Sequence, residues 1–177
     1  ACAATDKLFW RETALPAFGT TVWMRAAHGD ATRADAALSA AARRIQAVEA
    51  QMSLFRDDSA ITRLNRDGHL NDAPLELIAV LREALRIARE SEGRFDPTVQ
   101  PLWRVRFDAA QQGRAAAPAD ISRARALVGW QHVRVDAVHR RIAFARPGMA
   151  ITLNGIAQGW ATDAAAAVLR KHGIEHA

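Results

Sequence analysis

The sequence predicts an α+β fold, on three observations. Half of its 177 residues are hydrophobic, which is enough to bury one sizeable core. The predicted elements run strands, helix, helix, hairpin, strand, helix, without the regular alternation of a doubly wound sheet. No run of 18 or more apolar residues occurs, and no fixed-period repeat indicates a solenoid. We therefore expect residues 1–177 to form one domain, or one lobe of a larger one.

The N-terminal region predicts two strands followed by a long helix. The strands are "LFWRETA" and "TTVWMRA" within residues 8–26, joined at "LPAFG", where Pro16 and Gly19 are expected to form a hinge. From about residue 30 to residue 52, apolar side chains recur every three or four positions, which indicates one buried helix face. The predicted buried positions are Leu38, Ala41, Ile45, Val48 and Met52.

The middle of the chain predicts two more helices. Asp58 and Ser59 are candidate N-terminal caps of a short helix that Gly68 ends. A longer helix follows, with Pro74 near its first turn and Gly93 as its stop. Inward-facing side chains are expected at Ile61 and Leu64 in the first helix and at Leu77, Ile78, Leu81, Leu85 and Ala88 in the second.

The last third of the chain predicts a loop, a hairpin and a final helix. Two prolines exclude a helix through "FDPTVQPLW", so a rigid loop with exposed backbone is expected there. "QQGRAAAPADIS" indicates a surface connection, with a short helix following to Val128. "VRVDAVHRRIAFA" predicts a hairpin with Val133, Val135, Ile142 and Phe144 facing the core. "MAITLNG" predicts a strand that leads into a helix over about residues 156–172, capped by Gly173.

Charge and cysteine content limit the function classes. The net charge of +5 comes almost wholly from arginine, since Lys7 and Lys171 are the only lysines. The arginines are scattered along the chain, so we predict no nucleic-acid binding, although a mild positive field favours an anionic ligand. The single cysteine, Cys2, excludes an internal disulfide. "ACAATD" is either the remnant of an export signal or a cloning scar with Cys2 as an incidental thiol. As a remnant, it is an Ala-x-Ala cleavage pattern or an Ala-Cys junction at which Cys2 carries lipid.

Four stretches carry polar residues that a core does not require. In the first motif, "FGTT" (residues 18–21), a glycine beside two hydroxyls allows close approach of a ligand. In the second motif, "MSLFRDDSAITRLN" (52–65), Phe55 is either a stacking platform or a core residue. Asn65 in the same motif is a helix terminator or a ligand contact, with the terminator favoured.

The other two motifs contain a stiff loop and a helix start. In the third motif, "GRFDPTVQPL" (93–102), Asp96 and Thr98 hold a carboxylate and a hydroxyl at fixed spacing; the alternative for Asp96 is an Asx-type turn. In the fourth motif, "ITLNGIAQGWATD" (151–163), Gly155 and Gly159 flank a helix start that favours anions. The alternative is that Gly155 is a bulge and Gly159 a packing contact under Trp160.

Together and in this order, the four motifs resemble the FAD:protein FMN transferases, the ApbE-type family also called thiamine biosynthesis lipoproteins. The family pattern contains M-G-T, a Ser-x-Tyr phrase with S-x-x-x-x-x-N, G-x-F-D-x-T-V-x-P-L and G-G-I-A-K-G-Y-x-x-D. The resemblance implies a T-fold-like antiparallel sheet with long packed helices. It also implies that residues 1–177 are one such domain without its C-terminal part, because members continue to a late Asp and Thr that complete the metal site.

The resemblance implies a transferase that splits FAD and attaches FMN, through a phosphodiester, to a Thr or Ser hydroxyl of an exported flavoprotein, with Mg²⁺ at the phosphates. A periplasmic or exported location follows, with membrane anchoring through Cys2 as one option. Gly155 would offer its carbonyl to the metal, and no catalytic residue is assigned. The implied FAD contacts are Phe18, Phe55, Asp96, Pro97, Thr98, Thr152 and Gln158.

The sequence departs from the family pattern at several of these positions. Phe18 replaces Met, Phe55 replaces Tyr, Asn154 replaces Gly, Thr152 replaces Asp and Gln158 replaces Lys. The replacements at Thr152 and Gln158 remove one negative and one positive charge together, so neither charge is left without its partner. This predicts a subgroup of the family with "NGIAQG" in place of "GGIAKG". Two other functions stay open: a periplasmic FAD-binding protein without catalysis, and a scaffold domain without a ligand.

Overall fold

The computed structural model describes residues 7–177, so the hypothesis of a lipidated Cys2 falls outside the described residues. The chain divides into two compact units, Ala1–Glu49 with Gln158–Ala177, and Ala50–Ala157. The expectation of one domain across residues 1–177 stays a prediction. From residue 7 onward, no helix combines the length and the apolar character needed to cross a membrane.

The first unit contains an antiparallel hairpin, as predicted. Strand β1 (Phe9–Ala17) pairs with β2 (Thr20–His28) from Phe9 opposite His28 to Ala17 opposite Thr20. The turn is confined to Phe18 and Gly19, which have φ of 52° and 74°. Pro16 does not form part of the hinge, because it lies within β1 opposite Thr21. A two-stranded sheet tolerates proline there, since both of its strands are edges.

Helix α1 (Ala31–Met52) confirms the predicted long helix. Asp30 caps it, with Oδ1 accepting from the Thr32 N–H at 2.8 Å. All five predicted inward-facing side chains are buried: Leu38, Ala41, Ile45, Val48 and Met52. The C-terminal part of the chain adds helix α6 (Ala157–Lys171), and the Ala27 N–H donates to the His176 carbonyl at 2.9 Å.

The second unit begins with helix α2 (Ala60–Asp67), strand β3 (His69–Leu70) and helix α3 (Leu75–Glu90). Ser59 is the cap of α2, and Gly68 ends that helix with φ of 73°. Both helices were predicted from caps and apolar spacing, and the inward positions are confirmed as buried except Leu85, which is half-buried. The two-residue strand β3 was not predicted.

The predicted loop at "FDPTVQPLW" is wrong. A short 3-10 helix at Pro97–Val99 leads directly into helix α4 (Gln100–Gln111), which is followed by helix α5 (Pro118–Arg125). Both prolines lie in first turns, where a missing N–H breaks no hydrogen bond. The start of the segment is also not exposed, because Pro97, Thr98 and Gln100 are buried. Only its last residue, Trp103, is exposed.

A three-stranded sheet of order β3-β5-β4 completes the second unit. Strands β4 (Val133–Asp136) and β5 (Arg141–Phe144) form the predicted hairpin, with Val135 opposite Ile142. Of the four residues expected in the core, Ile142 is buried and Val133, Val135 and Phe144 are half-buried. The predicted strand at "MAITLNG" is wrong, because this segment pairs with no strand in the described part of the chain.

Candidate functional site

The third motif is held by hydrogen bonds from the Asp96 carboxylate. Asp96 has extended backbone before Pro97, as predicted, and its Oδ1 accepts from the N–H and the hydroxyl of Thr98 at 2.8 and 2.6 Å. Its Oδ2 accepts from the Trp130 N–H at 3.2 Å. The Asx-type turn is therefore present, and it also connects to Trp130, the first residue of a short 3-10 helix (Trp130–His132) 34 residues away in sequence.

Thr98 completes this connection from the other side. Its side chain is 0% exposed, and its hydroxyl accepts from the Gly129 N–H at 2.7 Å while donating to Asp96. The hydroxyl is thus engaged as both donor and acceptor. Because Thr98 is fully buried, a ligand does not reach its hydroxyl in this conformation, whereas the half-buried Asp96 could meet a ligand from its exposed side.

The side chain of Asn65 holds the first residue of the fourth motif, Ile151. Asn65 Oδ1 accepts from the Ile151 N–H at 2.7 Å, and its Nδ2 donates to the Ile151 carbonyl at 2.8 Å. The favoured interpretation of Asn65 as a helix terminator is wrong, because α2 continues two residues further. The amide replaces a neighbouring strand as the hydrogen-bond partner, which explains why this extended segment needs no sheet.

The third and fourth motifs are adjacent in the second unit. The Thr152 N–H donates to the Pro97 carbonyl at 2.8 Å. An added Cβ at Gly155 would lie 3.2 Å from Cε2 of Phe95, so this glycine permits a close approach. Asp96, Pro97, Thr98, Thr152 and Gly155 are therefore parts of one local structure. Asn154 and Gly155 are exposed and Thr152 is half-buried.

Phe55 in the second motif is an exposed aromatic residue. Its side chain is 63% exposed, so the interpretation as a core residue is wrong and the ring is accessible for stacking. Its N–H donates to the Ser53 hydroxyl at 3.2 Å. Nearby, a hydrogen bond from Arg56 holds the pKa of the exposed Asp58 carboxyl below its ordinary value.

In the first unit, Phe18 and Gln158 line one cavity of about 210 Å³. Residues of β2, α1 and α6 form the rest of its wall, among them Val22, Ile45 and Thr162. Phe18 is 7% exposed, and its N–H donates to Oε1 of Glu49 at 2.8 Å. Gln158 is exposed at the start of α6. The alternative of a packing contact at Gly159 under Trp160 stays a prediction; apart from its chain neighbours and the backbone of its own helix, an added Cβ at Gly159 would meet no described atom within 4 Å.

The described residues do not fit a Mg²⁺ site by themselves. Across residues 7–177, no group of three or more His, Cys, Asp or Glu side chains is placed to hold a metal ion. Mg²⁺ usually binds one or two carboxylates together with phosphate oxygens and water. Gly155 could supply one carbonyl oxygen, and Thr152 stands where the family pattern has an Asp.

Sequence reasoning missed a larger cavity in the second unit, of about 610 Å³. Asn65, Pro101 and Ala150 border it next to the motifs. Its charged lining consists of Arg104, Asp108, Arg114, Asp120 and Arg123. Arg104 and Asp108 belong to α4, whose first residues were predicted to be a loop. The i,i+4 spacing of Arg104 and Asp108 after Pro101 was the available signal.

Glu49, Gly129 and Trp130 were also missed. Glu49 bonds Phe18, and the N–H groups of Gly129 and Trp130 bond Thr98 and Asp96. These partners lie 31 to 34 residues apart, so spacing along the sequence did not predict the contacts. The six histidines carried no motif, and the structure places none of the described ones in a metal-binding group.

Comparison with known proteins identifies the family. Residues 18–177 match the model of the ApbE family. An FAD:protein FMN transferase of Salmonella typhimurium is 30% identical over 162 residues, covering 87% of this chain and 46% of the relative. One from Vibrio cholerae is 29% identical over 140 residues, covering 76% and 41%.

A solved structure supports the same fold. The apo flavinyl transferase ApbE of Pseudomonas stutzeri superposes with a TM-score of 0.79 at 25% identity, covering 94% of this chain and 54% of that one. The α+β fold is thereby confirmed. This chain spans less than half the length of the two curated relatives. It belongs to the ApbE family.

Proposed function

We propose that the protein transfers FMN from FAD to a Thr or Ser hydroxyl of another protein. Its relatives carry the name FAD:protein FMN transferase. The observation that carries the proposal is the Thr152–Pro97 hydrogen bond, which joins the third and fourth motifs beside exposed Asn154 and Gly155. This local structure would offer backbone polar groups to a phosphorylated ligand.

The proposed reaction is a phosphoryl transfer. The acceptor hydroxyl oxygen attacks the phosphorus of the FMN half of FAD, and the bond from that phosphorus to the bridging oxygen breaks. AMP leaves with the bridging oxygen, and the hydroxyl proton passes to a general base. Such reactions depend mainly on positioning and charge stabilisation. The exposed Phe55 ring would stack on the flavin, and Gln158 would replace a lysine by a neutral hydrogen-bonding group.

We propose that Mg²⁺ accompanies the phosphates, with the Gly155 carbonyl as one ligand. This arrangement needs further carboxylate ligands, because the described residues hold no suitable cluster. The acceptor is proposed to be an exported flavoprotein and the location periplasmic or exported, as the family resemblance implies. Radiolabelled palmitate incorporated by the full-length protein, and lost in Cys2→Ser, would support lipid anchoring; no label in either protein would contradict it.

The test of the function is to incubate the full-length protein with FAD, Mg²⁺ and a threonine-containing acceptor flavoprotein expressed without its flavin. We expect covalent flavin on the acceptor, visible as fluorescence in a denaturing gel, and its loss when the acceptor threonine is replaced by alanine. If FAD does not bind, the proposal is wrong.

The second candidate, a non-catalytic FAD-binding protein, is favoured by the neutral Thr152 and Gln158. It predicts stoichiometric FAD binding without transfer. Under this candidate, the double variant Thr152→Asp, Gln158→Lys tests whether the family's charge pair is what is missing. Transfer by the double variant but not by the natural sequence would establish the second candidate.

A further inference from the structure

We infer that Glu49 is a positioning residue for flavin binding, because it fixes the Phe18–Gly19 turn and thereby the Phe18 ring. The inference rests on the proposed function. Glu49 lies near the end of α1 and belongs to none of the four motifs. Its role follows from three observations: the backbone of the turn, the buried carboxylate, and the cavity that Phe18 lines.

The turn has a residue that its backbone disfavours. Both central residues have positive φ, 52° at Phe18 and 74° at Gly19. Two-residue hairpin turns of this kind favour Asn-Gly or Asp-Gly, because an ordinary side chain with positive φ crowds the backbone. A bulky aromatic residue at the first position therefore costs stability. The aromatic ring of Phe18 therefore has a role that the asparagine favoured at this turn position could not fill.

Glu49 offsets that cost with a charge-assisted hydrogen bond. Its Oε1 accepts from the Phe18 N–H at 2.8 Å, and the residue is only 9% exposed. Hydrogen bonds to a carboxylate are stronger than those between neutral groups, and a buried carboxylate without a partner is unfavourable. The carboxylate and the strained turn thus stabilise each other across 31 residues of sequence.

The fixed turn directs Phe18 into a cavity wall. Phe18 and Gln158 line the same cavity of about 210 Å³ in the first unit, together with Thr20. Phe18 and Gln158 are both residues that the family resemblance places at FAD. A ring held in one orientation before binding loses less conformational freedom when the ligand arrives. Glu49 therefore raises FAD affinity without touching FAD.

The experiment compares three variants of the full-length protein by FAD titration, followed by flavin fluorescence, and by amide exchange at Phe18. Glu49→Ala should weaken FAD binding by about tenfold, because the Phe18 ring is then ordered only when FAD binds and that ordering costs about 1–1.5 kcal/mol of affinity. Glu49→Gln keeps an oxygen acceptor and should stay within about threefold of the natural protein. Val48→Ala is the matched control, because Val48 is a fully buried neighbour on α1 that makes no contact with the turn's N–H.

Val48→Ala should lower the melting temperature and leave FAD affinity unchanged. Glu49→Asp provides the second test if Glu49→Ala does not fold, because it keeps the charge and shortens the reach. It should weaken binding and speed exchange at Phe18. The inference is overturned if exchange at Phe18 accelerates while FAD affinity stays at the natural value. It is also overturned if Val48→Ala loses affinity in proportion to stability. Failure of the natural protein to bind FAD would instead overturn the proposed function.

Discussion

The third and fourth motifs touch each other yet use their polar groups in opposite ways. In the third, both carboxylate oxygens of Asp96 and the hydroxyl of Thr98 are hydrogen-bonded within the protein, and Thr98 is fully buried. In the fourth, one residue is tied to Asn65, whereas Asn154, Gly155 and Gln158 are exposed. The third motif stabilises the local structure, whereas the fourth motif leaves polar groups accessible at the surface, where the proposed function needs them.

This difference changes how the family resemblance is interpreted. The third motif is the most specific of the four phrases, and it would be natural to assign it the most direct role at the ligand. Its hydrogen bonds instead connect the residues just before α4 to residues 129–130. The most specific of the motifs, the third, is therefore needed for the local fold. The accessible polar groups lie in the fourth motif, which is less specific. Four predictions test this contrast.

Asp96→Ala should have the largest effect on stability. It leaves the Thr98 N–H and the Trp130 N–H without their acceptor, so we expect a loss of about 3 kcal/mol in the free energy of unfolding. Urea unfolding followed by circular dichroism measures it. Asp96→Asn, which can keep the Oδ1 acceptor but not the Oδ2 one, should lose about 1 kcal/mol. Unchanged stability together with lost FAD binding would make Asp96 chiefly a ligand contact.

Asn65→Ala should have the next largest effect. It removes both hydrogen bonds to the Ile151 backbone, and we expect a loss of about 2 kcal/mol with faster amide exchange at Ile151. The control is Arg66→Ala, because Arg66 makes a solvent-exposed ion pair with Asp67 that should contribute little to stability. Equal losses from the two variants would show that the Asn65 amide does not hold the fourth motif.

Gly155→Ala and Gly159→Ala should change stability in opposite directions. The first places a Cβ 3.2 Å from Phe95 and should cost about 1 kcal/mol. The second adds a Cβ in open space within α6 and should stabilise the protein by about 0.5–1 kcal/mol. Thermal unfolding measures both changes. A Phe95→Ala background should remove the cost at Gly155, and persistence of the full cost there would exclude the contact with Phe95 as its cause.

Gln158→Ala should have the smallest effect on stability and a clear one on binding. Gln158 is exposed, so we expect the free energy of unfolding to change by less than about 0.5 kcal/mol. FAD affinity should fall about fivefold, as expected for one lost hydrogen bond. Arg170→Ala, at an exposed position near the other end of α6 and outside the cavity lining, is the control for a general change of this helix and should leave FAD affinity unchanged. A stability loss as large as that of Asp96→Ala would remove the contrast between the motifs.

Local patterns predicted much of the fold. The apolar spacing placed α1 and α3, the Ser59 and Gly68 signals bounded α2, and the hairpin strands followed from their alternation. The errors have a common cause. Proline at a helix start and proline in a loop look the same in sequence, so α4 was missed. The extended segment "MAITLNG" has the sequence pattern of a strand, but no strand of the described chain pairs with it.

The sequence by itself determined the family, the α+β class and which residues form the four motifs, because these depend on residue identity and short-range order. Only the tertiary structure decided what each polar group contacts. Asp96 meets Trp130, Asn65 meets Ile151 and Glu49 meets Phe18 across 31 to 86 residues of chain. A hydrogen bond depends on distance and direction in space, and neither is fixed by spacing along the chain.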